Sequence, residues 1–190
     1  MKFSKKATGI SPSLTLGIDT LAKEMKAQGK DVISFGVGEP DFDTPQYIKE
    51  AAKAAIDRGC TKYTPVPGIM ELRQAISDRY KEVYGLEYGA AGVVVSNGAK
   101  QSLYNTFQAI LDPGDEVIII APYWVTYPEL VKMASGKPVI VEAREEDDFQ
   151  PRIEAIAQAV TPHTRAIVVN NPSNPCGNVY SRDTLAAIAE

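Results

Sequence analysis

Three short segments carry residue types able to meet a small, planar, anionic ligand. The first is Ser96-Asn97-Gly98-Ala99-Lys100. Small residues opening a helix let the backbone approach an anion, and the helix N-terminus adds unpaired N–H groups at the positive end of its dipole. A phosphate cradle is one reading and a plain tight turn the other, because the run is neither a Walker A loop nor a G-x-G-x-x-G fingerprint. The second is Pro122-Tyr123-Trp124, which holds the only tryptophan. Its indole could stack on a flat ring, or pack a loop as a core residue. The third is Asn170-Asn-Pro-Ser-Asn-Pro-Cys-Gly177, a loop of three asparagines and two prolines with amide groups to offer. Its bland alternative is a structured turn with no ligand.

Other chemistries find little support. One histidine, His163, stands in Thr161-Pro-His-Thr-Arg165, which reads as a surface turn, so a zinc site or a His-based triad is not expected. Two cysteines, Cys60 and Cys176, are too few for a disulfide framework or a metal cluster. A net charge of −4 gives no electrostatic reason to propose nucleic acid or an anionic membrane as partner. The longest apolar run, residues 116–121, is strand-sized and too short to span a bilayer. The basic start is not followed by an apolar stretch, so a signal peptide is not expected and the default location is the cytoplasm.

The elements that must position these segments are legible as a pattern. Helices are expected over about residues 13–27, from the Thr44-Pro45 start to Gly59, and over about 69–84 before Gly85. A short strand is expected at 32–35 and an irregular segment over 36–45. From there short apolar strands alternate with helices: strands at 93–95, 117–120, 139–141 and 166–169, and helices over about 100–111, 127–134, 153–160 and from Ser181. Continuously apolar strands alternating with helices predict an α/β fold with a mostly parallel sheet covered on both faces. In such sheets ligands gather at the carboxyl ends of the strands, where the three segments fall.

Taken together, Gly38-Glu-Pro-Asp-Phe-Asp-Thr-Pro45, Lys62-Tyr-Thr-Pro65, Gly68-Ile-Met-Glu-Leu-Arg73, Asn97-Gly-Ala-Lys-Gln101, Leu111-Asp-Pro-Gly-Asp-Glu-Val117, Pro122-Tyr-Trp124 and Asn171-Pro-Ser-Asn-Pro-Cys-Gly177 resemble the class I and II aminotransferases of fold type I. The subgroup with this start is similar to bacterial aspartate aminotransferases. The resemblance covers almost the entire chain. It implies the N-terminal half of such an enzyme: a truncated three-layer α/β/α large domain over residues 46–190, preceded by a segment, 1–45, that contributes to a small domain and the active-site entrance.

The resemblance also implies pyridoxal 5'-phosphate (PLP) as cofactor, and roles for particular residues. The backbone of Gly98 and Ala99, with Lys100, would hold the phosphate. Trp124 would stack on the pyridine ring, and Asn174 would hydrogen-bond its phenolic oxygen. Tyr63 would reach the phosphate of a neighbouring subunit, since the family is typically homodimeric. Gly38 would contact the substrate α-carboxylate, with Trp124 and Asn174 also lining the substrate. Thr15 and Lys100 match positions that can recognise a distal carboxylate, which points to aspartate or glutamate with 2-oxoglutarate, and to prephenate as a further acceptor. Pro122 and Pro175 match positions where a cis bond is an option. Cys176 departs from the pattern, standing where threonine is usual; a tolerated change is expected, not a nucleophile.

The Schiff-base lysine, the aspartate that pairs with the pyridine nitrogen and the arginine that clamps the α-carboxylate have no match here. No catalytic residue is therefore expected in this chain, and the 190 residues alone are expected to be inactive. Alternatives on the same fold are an aromatic, branched-chain or prephenate aminotransferase and a PLP β-lyase. A non-enzymatic effector domain of a transcription regulator would carry a DNA-binding domain ahead of it, whereas the aminotransferase-like pattern begins near the start of this chain. A generic phosphate-binding α/β domain accounts for Gly98 but not for Trp124 and Asn174.

Overall fold

The structure is a computed structural model that describes residues 2–36 and 38–190. Val37, inside the segment expected to be irregular, lies outside the described residues, as does Met1. The described chain forms two compact units, one of residues up to Gly17 with Leu103–Glu190 and one of Ile18–Ser102.

The first unit is built on three parallel strands, β1 (Glu116–Ala121), β2 (Lys137–Glu142) and β3 (Thr164–Val168), in the order β2-β1-β3. Ile119 pairs with Ile140 on one side and Val168 on the other. Side chains alternate across a strand, so β1 feeds two cores. Val117 and Ile119 pack with Phe107 of helix α5 (Ala99–Ile110) and with Tyr127, Leu130 and Val131 of helix α6 (Thr126–Met133). Ile118 and Ile120 face the opposite layer, where Ile156 of helix α7 (Ile153–Ala159) and Leu185 of helix α8 (Arg182–Ala189) pack. The result is a helix–sheet–helix sandwich, as the apolar strand pattern predicts. Ser181 caps α8, its hydroxyl accepting from the Thr184 N–H at 3.0 Å.

The opposite, N-terminal end of the sheet is held by charge. Asp115 accepts from the Asp112 N–H at 2.9 Å and pairs with Arg165 at 3.2 Å. Glu116 accepts from Lys137 at 2.8 Å and from the Thr161 hydroxyl at 2.7 Å. The Asp112 bond holds the Asp115 carboxyl below its usual range despite burial. Lys137 and then Thr161 do the same for Glu116. A carboxylate whose folded-state pKa is depressed stabilises the fold above its unfolded pKa, and that contribution is lost as pH falls through the folded value. Stability should therefore fall as the pH is lowered through the range in which these two carboxylates take up protons. Asp115→Asn with Glu116→Gln should flatten that limb when urea midpoints are measured across pH; an unchanged limb would refute this assignment. His163 follows the expected surface turn: it is exposed, and its carbonyl accepts from the Glu116 N–H at 2.8 Å.

The second unit holds most of helix α2 (Leu14–Ala27), with helices α3 (Gln46–Asp57) and α4 (Met70–Tyr84). Helix α1 (Lys5–Thr8), in the first unit, has no counterpart in the sequence pattern. Gly85 ends α4 in the left-handed region at φ 68°, which costs glycine little.

Three expectations are corrected here. Residues 93–95 are not a buried strand: Val94 is 65% exposed. Their backbone turns to single partners in place of a ladder, with the Val95 N–H donating to the Pro67 carbonyl and Arg73 Nε to the Val93 carbonyl, both at 2.9 Å. Residues 32–35 are not a strand either; Phe35 is 94% exposed, and no described residue offers these four a ladder. Thr44 does not cap α3. The helix starts from Pro45, whose carbonyl takes the Ile48 and Lys49 N–H groups, and no side chain caps it.

Candidate functional site

β1 lies between β2 and β3, so the chain leaves it to one side and returns on the other. That is a topological switch point, where the loops leaving adjacent strands diverge and open a crevice. The crevice here is lined by Pro122, Tyr123 and Tyr127 after β1, and by Asn170, Ser173, Asn174 and Tyr180 after β3. Two of the three segments singled out by composition thus meet, although they are about fifty residues apart in the chain.

The loop after β3 is shaped by its own amides. Asn170 Oδ1 accepts from the Asn174 N–H at 3.0 Å and Asn171 Oδ1 from the Tyr180 N–H at 2.8 Å. The Ser173 N–H donates to the Asn178 carbonyl at 2.9 Å, and the Gly177 N–H to the Ser173 carbonyl at 2.8 Å. Asn174 differs: among the described residues its side-chain amide makes no bond, and it is exposed. The peptide bonds before Pro122, Pro172 and Pro175 are cis. Asn170 and Ser173 fall inside the third segment but had no role of their own there, and Tyr180 lies outside it. Only the asparagine-rich composition hinted at Asn170, and nothing local marked Ser173 or Tyr180.

After β1 the chain turns at Trp124, whose carbonyl accepts the Tyr127 N–H at 3.0 Å as α6 begins. The indole is half-buried and meets the Tyr127 ring edge-on, centroids 5.5 Å apart. An edge contact of this kind orients one ring against the other. Burial pushes the Tyr127 and Tyr180 phenols up, so both remain protonated at neutral pH.

The other candidates, Thr15 excepted, lie in the second unit. Gly98 precedes α5 at φ 81°, and nothing lies within 4 Å of the position a Cβ would take. Ala99 and Lys100 follow in the first turn of the helix, both exposed. The neighbouring Asn97 N–H is taken by Gln101 Oε1. Tyr63 and Gly38 are exposed. Thr15, in the first unit, has its hydroxyl 2.9 Å from that of Ser13. Trp124, Asn174 and Thr15 therefore belong to one unit, and Gly38, Tyr63, Gly98, Ala99 and Lys100 to the other.

Comparison with known proteins sharpens this picture. The family model for aminotransferase class I and II matches residues 30–190. An aspartate aminotransferase of Bacillus subtilis is 50% identical over 190 residues, covering 100% of this chain and 48% of the relative. A probable aspartate/prephenate aminotransferase of Thermus aquaticus is 47% identical over 187 residues, covering 98% of this chain and 49% of its own length. Among solved structures, an aspartate aminotransferase from Thermus thermophilus with maleate superposes with a TM-score of 0.96 at 46% identity, over 100% of this chain and 50% of that one. The chain thus spans about half the length of the relatives it matches.

Proposed function

This chain belongs to the class I and II aminotransferase family, and from that premise we propose that the whole protein transfers an amino group, with PLP, between aspartate or glutamate and a 2-oxo acid such as 2-oxoglutarate. The observation that carries the reading is the meeting, at the switch point, of the loop bearing Asn174 with the loop that leads into Trp124. A flat, anionic cofactor suits the residues present. Gly98 stands ahead of the α5 N-terminus at φ 81° with open space where a Cβ would lie, so an anion can approach its backbone. The unbonded amide of Asn174 can donate to a ring oxygen.

The division of labour follows from these residues. Gly98, Ala99 and Lys100 would hold the phosphate through first-turn amides and a cation. Trp124 would lie against the ring and exclude water from one side of it. Asn174 would donate to the ring oxygen and fix the ring's rotation. Gly38 would offer backbone to the substrate α-carboxylate, and Thr15 with Lys100 would receive a distal carboxylate. Tyr63 would serve the phosphate of a second subunit in a cytoplasmic homodimer. Residues 1–45 would contribute to a small domain and entrance, and 46–190 to the large domain. When bound, PLP supplies the electron sink for chemistry at the substrate Cα. The 190 residues alone would be inactive. Prephenate is a further acceptor within the proposal, in keeping with the name of the Thermus aquaticus relative.

The test is a PLP titration of the whole protein followed by absorbance, with steady-state assays over acidic, aromatic and branched amino acids. A saturable cofactor band and a preference for acidic substrates are expected. Trp124→Ala should weaken PLP by about tenfold, the scale of one aromatic stacking contact, and Trp124→Phe by less. Absence of a cofactor band, or an indifferent Trp124→Ala variant, would count against the assignment.

A further inference from the structure

Residues 4–13, including α1, are tied to α6 near both of its ends. The Ser11 N–H donates to Glu129 Oε2 at 3.1 Å, in the first turn of the helix. Lys6 Nζ donates to the Met133 carbonyl at 3.3 Å, on the last residue. Glu129 also pairs with Lys132 at 2.9 Å, and its side chain is only 15% exposed. An exposed i,i+3 ion pair would account for the lysine and contributes little. It accounts neither for the burial of Glu129 nor for its bond to a backbone 118 residues away.

What the tether holds is the entry to α2. Pro12 follows Ser11 and stiffens the path. The chain then turns helical at Leu14, with the Gly17 N–H donating to the Ser13 carbonyl at 3.1 Å and the Ser13 and Thr15 hydroxyls in contact. Thr15 stands four residues from the anchored amide, within about 14 Å of chain at full extension. The same α6 begins at Thr126, two residues after Trp124, and is fixed to it through Tyr127. One helix therefore follows the indole corner and holds the N-terminal strap at two points.

We infer that Glu129 is a positioning residue: it holds the strap in register with the Trp124 corner, and through the strap it sets how Thr15 meets the distal carboxylate of a dicarboxylic substrate. The substrate half of this inference rests on the reading of Thr15 given under Proposed function. Glu129 itself touches no reacting atom.

The experiment uses the whole PLP-loaded protein and two readouts. In hydrogen exchange, Glu129→Ala should speed exchange of the amides around residues 10–13 by about tenfold, the scale of one charge-assisted bond at a partly screened site. Glu129→Gln keeps an oxygen acceptor for the Ser11 N–H and should stay near wild type. Ser11→Pro removes the donor and leaves α6 untouched, so it reports on the tether even where Glu129→Ala damages the helix. In kinetics, Glu129→Ala and Ser11→Pro should raise KM for aspartate by about tenfold with kcat nearly unchanged, and leave KM for an aromatic amino acid alone. Unchanged exchange in both variants overturns the tether. An equal rise of KM for acidic and aromatic substrates overturns the positioning role. Faster exchange with both KM values unmoved overturns the link to substrate; if Thr15→Val is equally silent, the reading of Thr15 falls with it.

Discussion

A polypeptide of these 190 residues alone is expected to give no transamination above the rate of free PLP with the same amino and 2-oxo acids. The reaction needs a proton taken from the substrate Cα and returned elsewhere, and a positioned base for such a step is worth about 10²–10⁴-fold in rate. The crevice between the β1 and β3 loops offers amides, the Ser173 hydroxyl and three phenols. It has no carboxylate, imidazole or amine among its lining residues. Burial keeps Tyr127 and Tyr180 protonated, so neither can stand in as the base near neutral pH. None of the chain's lysines lies in a segment resembling the family's Schiff-base motif. The whole protein, by contrast, should turn over in the ordinary enzymatic range, about 1–10³ per second. A coupled assay of aspartate with 2-oxoglutarate on both polypeptides checks this, and turnover by the short one above the cofactor-only rate would refute it.

Ile119→Ala should lower the unfolding free energy of the whole protein's sheet by about 3 kcal/mol, within the range for truncating a fully buried aliphatic side chain. Ile119 is 1% exposed, sits on the central strand and is paired on both sides. Its side chain packs into the layer made by Phe107, Tyr127, Leu130 and Val131. Neighbours on three sides restrict collapse into the gap, so the cavity adds to the lost transfer energy. Ile140→Ala is the control. It lies beside Ile119 in register but on the edge strand, 41% exposed, and should cost well under half as much. Urea midpoints at constant slope would measure both. Equal losses at the two positions would show that the sheet is not organised about β1.

The central strands were legible because their burial is written into composition. Residues 117–121 are apolar on both faces, and only a strand covered on two sides tolerates that in water. The helix ends at Gly85 and Ser181 were legible for a local reason, since a left-handed C-cap and a hydroxyl N-cap are properties of one residue. Residues 93–95 and 32–35 misled for the converse reason. β-branched and aromatic residues state a preference, but a strand exists only where another backbone offers its donors and acceptors. Arg73 and Pro67 took that place at 93–95, which no local pattern announced. Thr44 has the chemistry of a cap, yet Pro45 opens the helix without it.

The amino-acid sequence by itself determined the family and the α/β class, because these depend on residue type and on spacing along one element; it also supplied the residues proposed for a phosphate, a ring and a carboxylate. Only the tertiary structure decided which of them meet. The strand order β2-β1-β3 brings the Asn174 loop to the turn that leads into Trp124. The same packing made Asn170 and Asn171 loop-builders and left the Asn174 amide without a partner among the described residues. It also turned Glu129, a helix-surface charge by its sequence, into the anchor of a segment 118 residues away. Such pairings arise from the order in which strands and helices stack, and no window of sequence contains both partners.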